Sequence, residues 1–188
     1  MRKKNKLFVI SGPSGSGKGT LVKRLLKERI DLDLSVSATT RKPRAGEVEG
    51  KDYYFISEKA FLEKIDSNGF LEWARVHGFL YGTLRNEIEE IIAKEHRAIL
   101  EIDTQGANQV KEKKPDSILI FIKPPSLESL ESRLRKRGTE KEETIKQRLT
   151  DAKSELEQAD KYDYVIINEY VDKASSKLSE IIKKESEK

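Results

Sequence analysis

The sequence predicts an α/β chain: a parallel sheet core flanked by helices, with a mixed α/β lobe inserted into it and a helical hairpin late in the chain. Three observations predict this. A short, wholly apolar run at residues 7–10 and similar runs at 98–102, 118–122 and 164–167 give the pattern of strands covered on both faces. Amphipathic helical stretches lie between or after them, at about residues 85–95, 127–137, 142–159 and 172–184. The segment 41–82 breaks that alternation with aromatic residues, Gly and Pro.

The first apolar run, Leu7-Phe8-Val9-Ile10, leads into a glycine-rich turn and then into Leu21, Val22, Leu25 and Leu26 at helical spacing, a strand–loop–helix unit. In the inserted segment, Arg41-Lys42-Pro43-Arg44 is extended, because the residue before a proline avoids helical angles. Tyr53-Tyr54-Phe55-Ile56 reads as a strand, and Ser57 as the cap of a short helix running through Ile65. Residues 70–76 and 79–81 read as a hairpin about His77-Gly78. Pro124-Pro125 ends the strand at 118–122 and offers Ser126 as the next N-cap. Arg133 and Arg137 are four apart on one helix and share a face, and Gly138-Thr139 ends that helix. The last seven residues, rich in Lys and Glu, are expected to fray.

A chain of 188 residues holds one core and is too short for two ordinary domains with linkers. Charged residues make up 37%, and mean hydropathy is −0.69, which suits a soluble protein. The 37 Lys and Arg exceed the 33 Asp and Glu by four, and the pI is about 9.0. A mixed-sign surface accounts for so small an excess, and no nucleic-acid-binding motif accompanies it. The lack of Cys excludes disulfides, thiolate metal sites and Cys nucleophiles. The apolar run after the basic N-terminus is too short for a signal peptide, and nothing approaches the ~20 apolar residues of a membrane span. A cytoplasmic setting is the default expectation.

Gly12-Pro13-Ser14-Gly15-Ser16-Gly17-Lys18-Gly19-Thr20 sits between the first strand and the first helix. Glycines let backbone N–H groups turn inward around a phosphate, the helix N-terminus adds partial positive charge, and Lys18 reaches the β- and γ-phosphates. This is a P-loop, and it predicts nucleoside triphosphate binding on a P-loop NTPase-type core. The strict motif places Ser or Thr directly after the Lys. Here that position is Gly19, and Thr20 follows, so the usual magnesium-ligand hydroxyl is absent from its place. The cation is then expected to be held mainly by nucleotide oxygens and water. In the inserted segment, Arg41 and Arg44 flank Pro43: two guanidinium forks on a stiff stretch suit one phosphate group, with Tyr53 and Tyr81 as hydroxyl donors. A solvated basic loop with core tyrosines is the competing account of the same residues.

The run from Ser35 through Thr39-Thr40-Arg41-Lys42-Pro43-Arg44-Ala45-Gly46-Glu47 to Tyr53-Tyr54-Phe55 resembles the guanylate kinase signature almost residue for residue. Phe70-Leu71-Glu72-Trp73-Ala74, Tyr81-Gly82-Thr83, Ile102-Asp103-Thr104-Gln105-Gly106 and Arg137-Gly138-Thr139-Glu140 leading to Arg148-Leu149 continue the resemblance in order and spacing, over essentially the whole chain. The resemblance implies transfer of the γ-phosphate of ATP to GMP, and to dGMP, with Mg²⁺. It implies a P-loop core at 1–40, 83–132 and 150–188, a GMP-binding lobe at 41–82 and a lid at 133–149. Arg41, Arg44, Tyr53 and Tyr81 would hold the GMP phosphate, Ser37, Glu72 and Thr83 would read guanine, and Asp103 would lie near the base. Residues 12–20 with Arg133, Arg137 and Asn168 would bind ATP, and Lys18, Arg41, Arg137 and Arg148 would serve catalysis. Glu101 stands where members often carry Asp, and Glu101 or Asp103 is the candidate carboxylate for the metal's water shell.

Chemistry agrees with those roles. Guanine presents N1–H and an exocyclic amine as adjacent donors that one carboxylate accepts, and adenine lacks that pair. Two like charges about 4 Å apart repel by about 4 kcal/mol at an effective dielectric of about 20, so joining two polyphosphates calls for several cations. Lys18, Arg41, Arg44, Arg137 and Arg148 supply them. The acceptor oxygen is ionised near neutral pH, since a phosphomonoester's second pKa is about 6, so direct in-line transfer needs no general base. His77 and His96 read as structural or surface residues. Closure of lobe and lid is expected to exclude water. The alternatives are a P-loop kinase for another acceptor (AMP, dTMP or a sugar phosphate), a non-enzymatic guanylate-kinase-like interaction module, and a nucleic-acid-binding protein. Oligomeric state is not legible.

Overall fold

The computed structural model describes residues 6–136 and 142–187. In chain order the elements are β1 Phe8–Ser11, α1 Lys18–Glu28, β2 Leu32–Leu34, β3 Ser37–Thr39, β4 Tyr54–Phe55, α2 Glu58–Asp66, β5 Phe70–Val76, β6 Phe79–Leu84, α3 Arg85–Ala93, β7 Arg97–Glu101, α4 Thr104–Lys113, β8 Ile118–Lys123, α5 Leu127–Lys136, α6 Glu142–Leu156, β9 Tyr164–Ile167 and α7 Val171–Ser186. The parallel sheet has the order β2-β7-β1-β8-β9, and a second, four-stranded sheet has the order β4-β3-β6-β5. The chain divides into two compact units. One is built mainly from Asp31–Leu100 and Gln105–Ser117, the other from Phe8–Ile30, Glu101–Thr104 and Ile118–Lys188.

In the second of these units, β1 and β8 pair in parallel with Val9 opposite Leu119, and β8 pairs β9 with Ile120 opposite Tyr164. Phe8, Val9 and Ile10, like Leu119, Ile120, Phe121 and Ile122, are buried, as apolar runs without alternation require. β9 departs from that expectation. It is an edge strand, and Val165 and Ile167, two residues apart and so on one face, are exposed while Ile166 is buried. Ser126 caps α5, its Oγ accepting from Ser129 N at 3.1 Å. Leu130 and Leu134 of α5 pack with Ile145 and Ala152 of α6.

In the other unit, β3 runs parallel to β4 and antiparallel to β6, and β5 and β6 form the predicted hairpin. Its turn has two consecutive left-handed residues, His77 at φ 47° and Gly78 at φ 87°, the backbone of a type I′ connection. Ser57 caps α2 by accepting from Ala60 N at 3.1 Å. Phe61 of α2 stacks on Phe70 of β5, centroids 4.3 Å apart, in a core with Ala38, Leu80 and Leu84. Helix α4, absent from the sequence-based expectation, braces β5 from its side chains: Lys113 Nζ donates to Leu71 O at 2.7 Å and Gln109 Nε2 to Trp73 O at 2.7 Å.

The hairpin carries one irregularity that positions the site. Phe70 pairs Leu84, but the next pair is Glu72 with Thr83, a β-bulge at Leu71. Along a regular strand Phe70 and Glu72 would share a face. The bulge turns Glu72 away from the Phe61–Phe70 core and sets it beside Thr83. Gly82 makes this possible from the core side, where a Cβ would lie 2.8 Å from Phe70 Cδ1 and 3.0 Å from Glu72 O. Gly82→Ala is therefore expected to destabilise the protein by about 1–3 kcal/mol, seen as a lower urea midpoint at unchanged m-value. An unshifted midpoint would remove the packing role assigned to Gly82.

Candidate active site

The glycine-rich turn between β1 and α1 is held by backbone geometry that only glycine meets. Gly12 sits at φ 134° with Ile122 O 2.3 Å from where a Cβ would be, and Gly17 at φ 94° with Asn168 Nδ2 equally close. The Ser16 carbonyl accepts from Asn168 Nδ2 at 2.8 Å and from Arg133 Nη1 at 3.3 Å, and Arg133 Nη2 donates to Asn168 O at 2.8 Å. Arg133 and Asn168 thus brace the loop from behind. Lys18 folds back onto the loop, its Nζ donating to Gly12 O at 2.5 Å and Pro13 O at 3.0 Å. Arg148, on α6, donates to Ser14 Oγ at 2.6 Å. Gly15, Gly19 and Thr20 complete the run, with Thr20 exposed in the first turn of α1. The Ser16 hydroxyl is buried with no hydrogen-bond partner among the described residues. Arg137 lies outside the described residues.

Beside this loop the unit gathers carboxylates. A Cβ on Gly19 would lie 3.3 and 3.4 Å from the two Glu101 carboxylate oxygens, so Glu101 fills the place where the strict motif carries a hydroxyl side chain. Burial pushes the Glu101 carboxyl above its ordinary range, and the charges of Lys18 and Lys23 oppose this. Glu155 of α6 is pushed up to about 7, first by burial and then by Asp103 and Asp151, with Lys18 opposing. Among the described residues no group of three or more His, Cys, Asp and Glu is placed to hold a metal ion. With Glu101 alone beside Gly19, the chemistry fits a cation carried by its nucleotide, with one or two protein carboxylates at its water shell.

The other unit holds the second constellation, on the face of its sheet opposite the Phe61 core. Ser37 of β3 pairs Thr83 of β6, which pairs Glu72 of β5, so three residues from three strands form one row. Glu72 is 2% exposed, and its Oε1 accepts from Thr83 N at 2.9 Å and Thr83 Oγ1 at 2.6 Å. A buried carboxylate is thereby oriented by a backbone N–H and a hydroxyl. Tyr81, two residues along β6, shares the face of Thr83. Its hydroxyl accepts from Arg41 Nε at 3.1 Å, and its ring lies 5.9 Å from that of Tyr53. Arg41 is buried, with its guanidinium 5.4 Å from the Tyr53 ring centre. Arg44 is exposed. Asp103, between β7 and α4, belongs to the unit of the glycine loop.

The guanylate kinase family model matches residues 4–185. The chain belongs to the guanylate kinase family. The guanylate kinase of Caldanaerobacter subterraneus subsp. tengcongensis is 50% identical over 182 residues, covering 97% of this chain and 88% of that protein. That of Fusobacterium nucleatum subsp. nucleatum is 51% identical over 176 residues, covering 94% and 95%. The crystal structure of guanylate kinase from Anaplasma phagocytophilum aligns with a TM-score of 0.82 at 36% identity, covering 98% of this chain and 87% of that one. The chain is thus a nucleoside-monophosphate kinase that phosphorylates GMP with ATP.

Within this guanylate kinase fold, two residues without a role in the sequence reading stand at the candidate sites. Glu47, quoted there only as part of the signature, accepts two hydrogen bonds from Arg41, and Glu155 lies in the electrostatic neighbourhood of Lys18. Only spacing along α6, seven residues from Arg148, pointed to Glu155. His96 Nδ1 lies 3.1 Å from Asp33 Oδ2, and His77 occupies the hairpin turn.

Glu155 gives a pH-dependent expectation for the ligand-free protein. Its carboxyl binds a proton more tightly folded, at about 7, than at its ordinary 4.5. Folding stability from this group is full below the unfolded value and is lost as pH rises through about 7. Glu155→Gln should flatten that slope by about 1–3 kcal/mol across the interval, after discounting for partial exposure, in urea titrations at several pH values. Parallel slopes for the two proteins would refute the assignment.

Proposed function

We propose that this kinase transfers the γ-phosphoryl group in line from ATP to GMP, with dGMP as a second acceptor, and without a covalent intermediate. The observation that carries the acceptor reading is the row Ser37–Thr83–Glu72, with a buried carboxylate oriented by Thr83 and Arg41 held against Tyr81 on the same sheet. In this reading Glu72 accepts N1–H and the exocyclic amine of guanine, Ser37 and Thr83 flank it, and Asp103 serves the base's surroundings. Arg41, Arg44, Tyr53 and Tyr81 take the GMP phosphate through charged and hydroxyl donors. Functionally, residues 41–82 are the acceptor lobe, 133–149 the lid, and 1–40, 83–132 and 150–188 the core.

On the donor side, the backbone of residues 12–20 and Lys18 cradle the ATP phosphates, braced by Arg133 and Asn168. Arg148, joined by Arg137, neutralises the transferring group, and Lys18 and Arg41 act on the same charge. Positioning and charge stabilisation carry the catalysis, because the attacking phosphate oxygen is already ionised near neutral pH. Bound Mg²⁺ supplies charge neutralisation of the phosphates. Glu101 or Asp103 is the carboxylate that would hold its water. No helix among the described residues is long and apolar enough to cross a membrane, which is compatible with a cytoplasmic enzyme of purine nucleotide metabolism.

Two substitutions test the roles. Arg41→Met is expected to lower kcat/KM for GMP at least about 100-fold while the protein stays folded by circular dichroism. Turnover at the wild-type level would count decisively against the phosphate role. Glu72→Gln is expected to weaken GMP and dGMP use selectively, by about 10²–10³-fold, in an ADP-release assay with MgATP across GMP, dGMP, AMP and dTMP. If the ranking of acceptors is unchanged in that variant, Glu72 does not read the base.

A further inference from the structure

We infer that Glu47 is a positioning residue for the acceptor phosphate: it locks the Arg41 guanidinium and the Arg44 backbone in the arrangement that receives the phosphate of GMP. The inference rests on the proposed role of Arg41 and extends it to a residue that touches no substrate.

The Arg41 guanidinium has five N–H groups. Nη1 donates to Glu47 Oε2 at 2.9 Å and to Lys42 O at 2.7 Å, Nη2 to Glu47 Oε1 at 2.8 Å, and Nε to Tyr81 OH at 3.1 Å. Glu47 therefore occupies the end of the fork, between Nη1 and Nη2. The remaining N–H of Nη2 lies on the other edge, beside Nε. A planar guanidinium offers two bidentate edges, and the second is the one bordered by the Tyr81 hydroxyl. Having accepted from Nε, that hydroxyl keeps its own proton to donate. An oxyanion arriving there meets Nη2 and the Tyr81 O–H together.

Glu47 is itself fixed. Its backbone N donates to Arg44 O at 3.1 Å, closing a turn in which Gly46 takes the left-handed φ of 87°. Its Oε2 also accepts from Arg44 N at 2.7 Å. One carboxylate thus ties the side chain of one predicted phosphate ligand to the backbone of the other. Arg41, long and with many rotamers, would otherwise spend ordering entropy when the phosphate binds. The pairing with Arg41 holds the Glu47 carboxyl below its ordinary range, so the lock stays charged at neutral pH. A competing role, in which Glu47 merely fills the phosphate's place, is disfavoured because it takes the edge away from Tyr81.

Calorimetric titration of GMP and of guanosine into wild type, Glu47→Ala, Glu47→Gln and Glu47→Asp, with steady-state kinetics, tests the role. The expected result is a GMP dissociation constant and KM at least tenfold higher in Glu47→Ala and Glu47→Gln. Guanosine affinity should be unchanged, kcat should fall less than KM rises, and Glu47→Asp should recover part of the loss. Unchanged or tighter GMP binding overturns the inference, as does an equal loss for guanosine, which would mark a merely structural residue. Arg41→Met run beside them separates the two claims. If it leaves GMP affinity intact, the phosphate-site reading itself fails. If it weakens GMP while the Glu47 variants do not, only the positioning role fails.

Discussion

A protein that is to hold highly charged phosphates must keep cations together before any phosphate arrives. Each unit meets this constraint by giving its cations oxygen partners of its own. Lys18 rests on the carbonyls of Gly12 and Pro13, Arg148 on the Ser14 hydroxyl, and Arg133 on the carbonyls of Ser16 and Asn168. Arg41 rests on Glu47, Lys42 O and Tyr81. Neutral carbonyls and hydroxyls cost little to exchange for phosphate oxygens, whereas a carboxylate binds a guanidinium more strongly. Arg41 is held by such a carboxylate, Glu47.

The buried carboxylate of Glu72 places the heavier demand on folding. It accepts from both the backbone N–H and the hydroxyl of Thr83. Burying such a group costs several kcal/mol unless its oxygens are bonded, and the bulge at Leu71 is what brings Thr83 within reach. Gly82 on the core side and the Phe61–Phe70 stack make room for the displaced strand.

Much of this architecture was legible because its signals are local. The glycine loop, the Ser57 and Ser126 caps and the His77-Gly78 turn each depend on residues within a few positions of one another, and each formed where their chemistry placed it. What escaped depends on pairing between distant strands. No local pattern marks the bulge that turns Glu72, because it exists only against β6. β9 looked like an interior strand since its four residues are apolar, yet nothing pairs beyond it among the described residues, and two of its side chains stay wet. Helix α4 was missed because Ala107 and Val110 are too few to signal a helix. Glu47 stood in the signature run, but its bond to Arg41 requires a chain reversal at Gly46 that the text of the sequence leaves unspecified.

Gly19 and Glu101 carry a lesson for redesign. A β-carbon at 19 would lie 3.3 and 3.4 Å from the carboxylate oxygens of 101, so that flexible side chain would have to give by a few tenths of an ångström. An engineer wishing to graft the more usual hydroxyl after Lys18 would have to let the acid at 101 swing aside, or shorten it in the same step.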